Sequence, residues 1–304
     1  MYAVFIIGGA FGGGNMFQAN QSYELFGKLI GLPNYLYGII LAILVGIVIV
    51  GGIRRIGQTT EKIVPFMVVL YVGASLFVIL TNLGQLPNVL SSIFNQAFYP
   101  DAAYGGFIGA LVTGIKRAVF SNEGGVGSAS IAHSAAKTDE PVREGIVAMI
   151  GPFIDTIVVC FMTASVILIT KDSNPLYQVG GGINGAELTS AAFGSAISWF
   201  PYILSIVVFL FSFSTMISWY YYGDKGWKYL FGSESIKAYQ AMYLSCVVLG
   251  SIASLENVIT FSDLMILSCG FPNIIGCLFL IPALKPKLEE YWDRYKAGEL
   301  KTYQ

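Results

Sequence analysis

Long apolar runs separated by short polar stretches dominate the hydrophobic pattern of this chain. A membrane-spanning helix needs about 20 mainly apolar residues, and eight segments meet that requirement. These segments are residues 2–22, 34–53, 62–82, 105–136, 143–170, 189–222, 236–254 and 259–283. The pattern therefore predicts an all-α polytopic membrane protein with one transmembrane domain over residues 1–284.

Two further stretches are not typical of membrane spans. Residues 86–100 are amphipathic and too short to cross a bilayer, so we expect them to lie at the interface or to cap the protein. After Pro286 the chain becomes charged and polar. We expect residues 285–304 to form a cytoplasmic tail with a surface helix.

The composition supports membrane embedding. Of the 304 residues, 55% are hydrophobic and 12% are charged, against about 25% charged residues in average soluble proteins. The net charge of −1 does not favour a nucleic-acid partner. The four cysteines lie in apolar runs without a CxxC pair, which favours neither a disulfide framework nor a metal site.

Lysine and arginine are distributed unevenly among the predicted loops. Thirteen lie in the loops after the second, fourth and sixth segments and in the tail, whereas the opposite loops carry only Lys28 and Lys171. Positive residues concentrate on the cytoplasmic side of membrane proteins. We therefore expect a multi-pass protein of the plasma membrane with both termini cytoplasmic and the lipid bilayer as its partner.

The most unusual stretch is residues 120–136, FSNEGGVGSASIAHSAA. Glycine costs about 1 kcal/mol against alanine inside a helix, and it lets the backbone leave helical geometry. Non-helical backbone at membrane depth is tolerated only where protein buries it or where it lines a cavity. We predict a helix break over 122–128 whose freed backbone groups bind a substrate and an ion. The structural alternative is a continuous Gly/Ser helix packed tightly on its neighbours.

The first segment combines glycines with uncharged amides. Two overlapping GxxxG pairs over residues 8–13 predict close packing on a neighbouring helix. Gln18 lies one helical turn after Asn15, so both occupy one face. Such amides either bond to another helix or face a polar cavity.

Hydroxyls and an indole stand out in the sixth segment. Ser214 and Thr215 can bond back to the carbonyl four residues earlier. Alternatively, they supply oxygen ligands to a small hard cation such as sodium, with backbone carbonyls of a broken helix completing the set. Trp219 follows Thr215 on the same face, where an aromatic residue is typical of packing or of the interfacial belt.

Ionisable residues inside a membrane are candidates for function. Those in the predicted segments are Glu123, Asp155, Asp263, Lys116 and Arg117. Glu123 and Asp155 are the candidates for ion coupling, whereas we expect His133 to be packed or interfacial. No nucleophile–base arrangement, phosphate loop or metal-ligand spacing is present, so we expect neither an enzyme nor an organic cofactor.

Five motifs along nearly the whole chain resemble those of the alanine/glycine:cation symporter family, the sodium:alanine symporters. The motifs are GNMFQANQ, IVPFMVVLY, FSNEGGVGSASIAHSAAKT, GPFIDTIVVCFMTA and FPNIIG. The central motif is specific because it is a long mixed string of polar residues and glycines. The family usually has Ala and Leu where this chain has Gly124 and Val126.

The resemblance implies a fold similar to the LeuT-type inverted repeat, with a small amino acid and sodium bound near the bilayer midplane. It implies that Gln18, residues 120–122 and Trp219 face the substrate, and that Ser214 and Thr215 are similar to hydroxyl ligands of sodium. With the glycines of the predicted break, the expected substrate-binding residues are Gln18, Phe120, Ser121, Asn122, Gly124, Gly125, Gly127 and Trp219.

Members of this family are longer and have about ten core helices, of which the first two precede the point where this chain begins. The resemblance therefore implies an N-terminally shortened member that contains the third core helix onward. We expect the 304-residue chain alone to insert into a membrane without accumulating alanine.

Three functions remain open at this point. The first is sodium-coupled import of alanine or glycine. The second is a proton-coupled amino-acid carrier of the same fold, in which Asp155 or Glu123 titrates. The third is a transport-inactive remnant or partner subunit, with the missing helices supplied as a separate chain.

Overall fold

The computed structural model describes residues 1–98, 107–178 and 185–300, and all regular secondary structure in these ranges is helical. Positions 99–100, 105–106 and 301–304, which belong to predicted segments or to the tail, lie outside the described residues. The α-helices are α1 (Tyr2–Phe11), α2 (Phe17–Ser22), α3 (Asn34–Ile49), α4 (Gly52–Thr81), α5 (Leu86–Phe98), α6 (Phe107–Asn122), α7 (Ser128–His133), α8 (Pro141–Pro152), α9 (Phe161–Ile169), α10 (Pro175–Gln178), α11 (Gly185–Ala196), α12 (Phe200–Phe231), α13 (Ile236–Ile252) and α14 (Leu255–Lys296).

Three wider π-helical stretches connect some of these helices without a break. Gly12–Met16 joins α1 to α2, Tyr23–Gly27 extends α2, and Phe153–Cys160 joins α8 to α9. Because Tyr23–Gly27 continues the helix, the first helical unit is longer than the predicted segment 2–22. Single-turn π segments inside α-helices occur frequently at functional sites.

Four helical units of the described chain are long and apolar enough to cross a membrane. They are Gly52–Thr81, Pro141–Ile169, Phe200–Phe231 and Leu255–Lys296, and Asn34–Ile49 is a shorter apolar helix. The protein is thus an all-helical polytopic membrane protein. The predicted count of eight spans is not reproduced by these criteria of length and composition.

The predicted segment 189–222 is wrong as a single span. The structure divides it into α11, which ends at Ala196, and α12, which begins at Phe200 and continues to Phe231. Pro201 lies in the first turn of α12, where the missing N–H of proline costs no helical hydrogen bond. Pro201 therefore favours the start of a new helix within the apolar run. Hydropathy alone does not show this boundary.

The polar region after Pro286 is helical, as predicted, but it is the last part of α14 rather than a separate element. Its end is held by Arg294, whose Nη2 lies 2.6 Å from Oε1 of Glu140, immediately before α8. This ion pair connects the end of the tail helix to the start of the unit formed by α8 and α9.

Two buried apolar clusters meet on α12. One contains Ile6 and Ala10 of α1, together with Ile217 of α12 and Tyr243 of α13. The other joins α4, α9 and α11 to the first half of α12. Lipid is as apolar as these side chains, so van der Waals packing rather than removal of apolar area from water stabilises both clusters. Helix α12 contributes residues to both.

The amides of the first helical unit bond to neighbouring helices. Asn15 Nδ2 donates to the carbonyl of Tyr243 at 2.7 Å, and Asn20 Nδ2 donates to the carbonyl of Ala253 at 2.8 Å. Both bonds attach this unit to α13 and the residue that follows it. The amides of Asn15 and Asn20 therefore bond to another helix, which is one of the two alternatives given for the amides of this segment.

Candidate functional site

The predicted interruption of the fourth segment is present. Helix α6 ends at Asn122, and α7 begins at Ser128. Between them φ is positive at Glu123 (56°), Gly125 (78°) and Gly127 (91°). Glycine adopts such angles freely, whereas an L side chain pays about 1–2 kcal/mol. The alternative of a continuous Gly/Ser helix is wrong.

Glu123 is the one non-glycine residue with positive φ among the described residues. Its carboxylate accepts a hydrogen bond from the hydroxyl of Ser128. A carboxylate removed from water needs such a donor to offset its lost hydration. This bond connects the start of the break to the first residue of α7.

The end of α6 is bonded to the π-helical stretch between α8 and α9. The hydroxyl of Ser121 donates to Asp155, and Asn122 Nδ2 donates to Oγ1 of Thr156 at 2.8 Å. Oδ1 of Asn122 accepts the backbone N–H of Gly124 at 2.8 Å. The side chain of Asn122 therefore bonds both to the neighbouring helical unit and to the first turn of the break.

The other side of the break lies against α14 and the start of α1. The carbonyl of Gly125 accepts a hydrogen bond from Asn273 Nδ2 at 2.9 Å. A Cβ atom added at Gly127 would lie 2.5 Å from Asn273 Oδ1 and 2.9 Å from the hydroxyl of Tyr2. Contacts this short leave no room for a side chain at Gly127.

Two aromatic rings converge on the glycine-rich turn of the first helix. Phe120 packs edge-on against Phe17 with ring centroids 5.2 Å apart. A Cβ atom at Gly13 would lie 3.0 Å from the Phe120 ring, and one at Gly14 would lie 2.4 Å from Trp219. The absence of side chains at these glycines is what admits both rings, in agreement with the predicted close packing of this helix.

Gln18 lies along the same turn, because its Nε2 donates to the carbonyl of Gly13 at 3.0 Å. The structure therefore brings Gln18, Phe120 and Trp219 together around the π-helical stretch Gly12–Met16. Ser121, Asn122 and the glycines of the break follow Phe120 directly in the chain.

Two hydroxyl groups of α12, those of Ser214 and Thr215, are the predicted sodium ligands. Ser214 is buried, and its Oγ donates to the carbonyl of Phe211 at 2.9 Å, which is back-bonding within the helix. A hydroxyl that donates in this way keeps lone pairs for a cation. Thr215 is half-buried, one helical turn before Trp219. The role of Ser214 and Thr215 as sodium ligands stays a prediction.

An ion pair next to the break was not identified from the sequence. Arg117 pairs with Asp263 of α14, and its guanidinium carbon lies 5.4 Å from the centre of the Phe120 ring. The sequence offered only one signal, the presence of both charges in apolar segments. Their pairing joins α6 to α14 one turn before Phe120.

Two other partners of the break lie in motifs that give no indication of what they contact. Thr156 lies in GPFIDTIVVCFMTA, and Asn273 lies in FPNIIG. Sequence reasoning missed both contacts.

His133 is packed as expected, with Nδ1 2.6 Å from Oε1 of Glu144. That contact ties the end of α7 to α8.

A comparison with known protein families matches the chain over residues 1–304 to the model of the sodium:alanine symporter family. The chain belongs to the sodium:alanine symporter family. The resemblance of the five sequence motifs is thereby confirmed. Members of this family are membrane transporters rather than enzymes, which agrees with the lack of a catalytic arrangement in the sequence.

Several curated relatives are similar over most of this chain. A sodium/alanine symporter of Methanococcus maripaludis is 40% identical over 92% of this chain and 61% of its own length. An amino-acid carrier protein of Bacillus subtilis is 31% identical, with coverages of 94% and 61%. A sodium/proton-dependent alanine carrier of Bacillus sp. PS3 is 30% identical, with coverages of 93% and 67%. The chain thus spans about three fifths of the length of the first two of these relatives.

Proposed function

We propose that this chain transports a small neutral amino acid, alanine or glycine, together with sodium, and that the break between α6 and α7 is the binding site. The observation that carries the proposal is the non-helical backbone at residues 123–127, held beside Phe120 and Trp219. Backbone N–H and C=O groups released from helical pairing suit the carboxylate and ammonium groups of an amino acid.

The preference for a small substrate is supported by the packing around the site. Phe120 and Trp219 lie against Gly13 and Gly14 at distances that exclude even a methyl group there. Gln18 is the third side chain at this turn. In this proposal the substrate contacts Gln18, Trp219 and residues 120–127, and bulky rings limit its size. The printed names of two relatives include alanine, which supports the same substrate class.

Sodium is the proposed coupling ion, and Ser214 and Thr215 are its proposed hydroxyl ligands. Sodium prefers oxygen ligands, and broken helices offer carbonyl oxygens near the bilayer midplane. The LeuT-type inverted-repeat arrangement belongs to this proposal, with α6 and α7 as one of its interrupted helices. So do cytoplasmic termini, residues 1–284 as the transmembrane part and residues 285–304 as a cytoplasmic tail.

Proton coupling is the second candidate. Two carboxylates adjoin the break, Glu123 through Ser128, and Asp155 through Ser121. One of the relatives is named as sodium/proton-dependent. A carboxylate whose hydrogen bonds hold the break in place would couple protonation to its conformation.

Uptake into liposomes separates these functions. The purified chain is reconstituted alone and with the part of the Methanococcus maripaludis relative that the chain does not match. Alanine accumulation is measured under a sodium gradient or a pH gradient. Sodium-driven accumulation that Gly127→Leu abolishes would support the proposal. Gly73→Leu is the matched control, because open space surrounds Gly73 in α4.

Accumulation that follows the pH gradient and ignores sodium would favour proton coupling. Folded insertion without alanine binding or flux in either form would contradict both and favour a transport-inactive chain.

A further inference from the structure

A cavity of about 340 Å³ lies away from the break, where the α3–α4 junction meets α12 and α13. We name it the Lys225 cavity. One wall is apolar and includes Ile49, Ile53 and Ile56, and the facing side carries Lys225 and Lys228 of α12. An apolar wall opposite two ammonium groups is suited to an amphiphile with a negative head.

The two lysines differ in how far they are neutralised. Lys228 Nζ lies 2.8 Å from Oδ2 of the buried Asp224. Lys225 Nζ lies 5.0 Å from the centre of the Tyr221 ring, a contact that leaves its charge in place. No carboxylate forms an ion pair with Lys225 among the described residues. The lining lysines and Asp224 therefore leave a net positive charge in the cavity.

The chain around the cavity adds to this charge. Arg54 and Arg55 directly follow the lining residue Ile53, and Lys237 directly follows the lining residue Ile236. Basic residues therefore adjoin lining positions in the chain on α4 and α13 as well as on α12. The attraction for an anion is not limited to one side chain.

The position of the cavity points to the membrane interface. Gly52 is the first residue of the span Gly52–Thr81, and the lysines lie in the last two turns of the span Phe200–Phe231. The adjoining apolar residues Val50 and Ile53 are 73% and 42% exposed. An apolar surface that opens towards lipid beside cationic heads is the arrangement by which basic pockets between membrane helices bind lipid headgroups.

We propose that the Lys225 cavity binds the phosphate of an anionic phospholipid, such as phosphatidylglycerol, with an acyl chain along the isoleucine wall. Lys225 is the main phosphate ligand, and Lys228 contributes in competition with Asp224. Free inorganic phosphate shares the headgroup chemistry but cannot cover the apolar wall.

Native mass spectrometry of the full chain in mixed phosphatidylglycerol and phosphatidylcholine tests the proposal. Lys225→Gln should lose about fivefold of the preference for phosphatidylglycerol, and the double variant Lys225→Gln/Lys228→Gln should lose more, by less than a second equal factor, because Asp224 partly neutralises Lys228. Lys285→Gln/Lys287→Gln removes the same charge from exposed positions of α14 and should leave the preference unchanged. Asp224→Asn should increase it, because Lys228 is then released.

Three results would overturn the proposal. An equal loss in both double variants would show general attraction to the basic surface. A preference that does not rise in Asp224→Asn would show that Lys228 is not a ligand. Displacement of the lipid by inorganic phosphate would show a free-anion site instead.

Discussion

Replacement of Gly127 by alanine probes the geometry of the break at its most constrained point. The residue has φ of 91°, and the new Cβ would lie 2.5 Å from Oδ1 of Asn273. Asn273 must then move, and the bond from its Nδ2 to the carbonyl of Gly125 at 2.9 Å is lost or weakened. The substitution therefore adds backbone strain and removes one hydrogen bond.

The expected magnitude follows from these two effects. A left-handed conformation costs a non-glycine residue about 1–2 kcal/mol, and a lost hydrogen bond costs about 1 kcal/mol. The lower entropy of the unfolded alanine chain offsets about 0.4–1 kcal/mol. We expect a net loss of about 1–2.6 kcal/mol in the free energy of unfolding.

The assay is unfolding of the purified chain by SDS in mixed micelles, with Gly73→Ala as the control. Gly73 lies inside α4 with nothing within 4 Å of an added Cβ, so alanine there should be neutral or stabilise by up to about 1 kcal/mol. Asn273→Ala should cost about 1 kcal/mol by itself. Combined with Gly127→Ala it should cost less than the sum, because the steric conflict is removed.

Equal stabilities of Gly127→Ala and Gly73→Ala would refute this reasoning. Strict additivity of Gly127→Ala and Asn273→Ala would show that the two side chains do not meet. Either result would mean that the break does not have the geometry described.

Three further predictions concern topology and coupling. A cysteine at Lys171 should be labelled by a membrane-impermeant thiol reagent from outside, whereas one at Arg55 should be protected; the reverse pattern would overturn the predicted orientation. Thr215→Val, in the chain combined with the unmatched part of the Methanococcus maripaludis relative, should raise the half-saturating sodium concentration more than that of alanine, and an unchanged sodium dependence would make Thr215 a packing residue. Glu123→Gln keeps an acceptor for Ser128, so sodium-driven uptake should persist with reduced pH dependence; complete loss of uptake with bound alanine retained would favour proton coupling.

The sequence predicted the helix break well because its signal is local. Several glycines beside an Asn-Glu pair disfavour a continuous helix in an apolar run, and the structure interrupts the helix within the predicted residues. The close packing of the first helix was equally accessible, since glycine spacing alone indicates it. The prediction that Phe120 and Trp219 face the substrate came from the family resemblance rather than from spacing, whereas their packing against the first helix was not predicted.

The partners of the break could not be derived from the sequence. Thr156 and Asn273 are 34 and 148 residues from the groups that they bind. Arg117 and Asp263 are each unusual in an apolar segment, but no periodicity pairs two charges on different helices. The division between α11 and α12 was missed because hydropathy averages over three non-helical residues and a proline that starts a helix without interrupting an apolar run.

Equilibrium binding of alanine tests the central claim most directly, namely that the break beside Phe120 and Trp219 is a sodium-dependent amino-acid site. The chain is co-expressed with the part of the Methanococcus maripaludis relative that it does not match and compared with Trp219→Phe and Trp199→Phe. Trp219 is buried against the break, whereas Trp199 is 61% exposed. We expect binding only in sodium, a loss of affinity for Trp219→Phe, because the indole that is buried beside Gly14 is removed, and no change for Trp199→Phe. Alanine binding that is independent of sodium, or equal in the two tryptophan variants, would contradict the account.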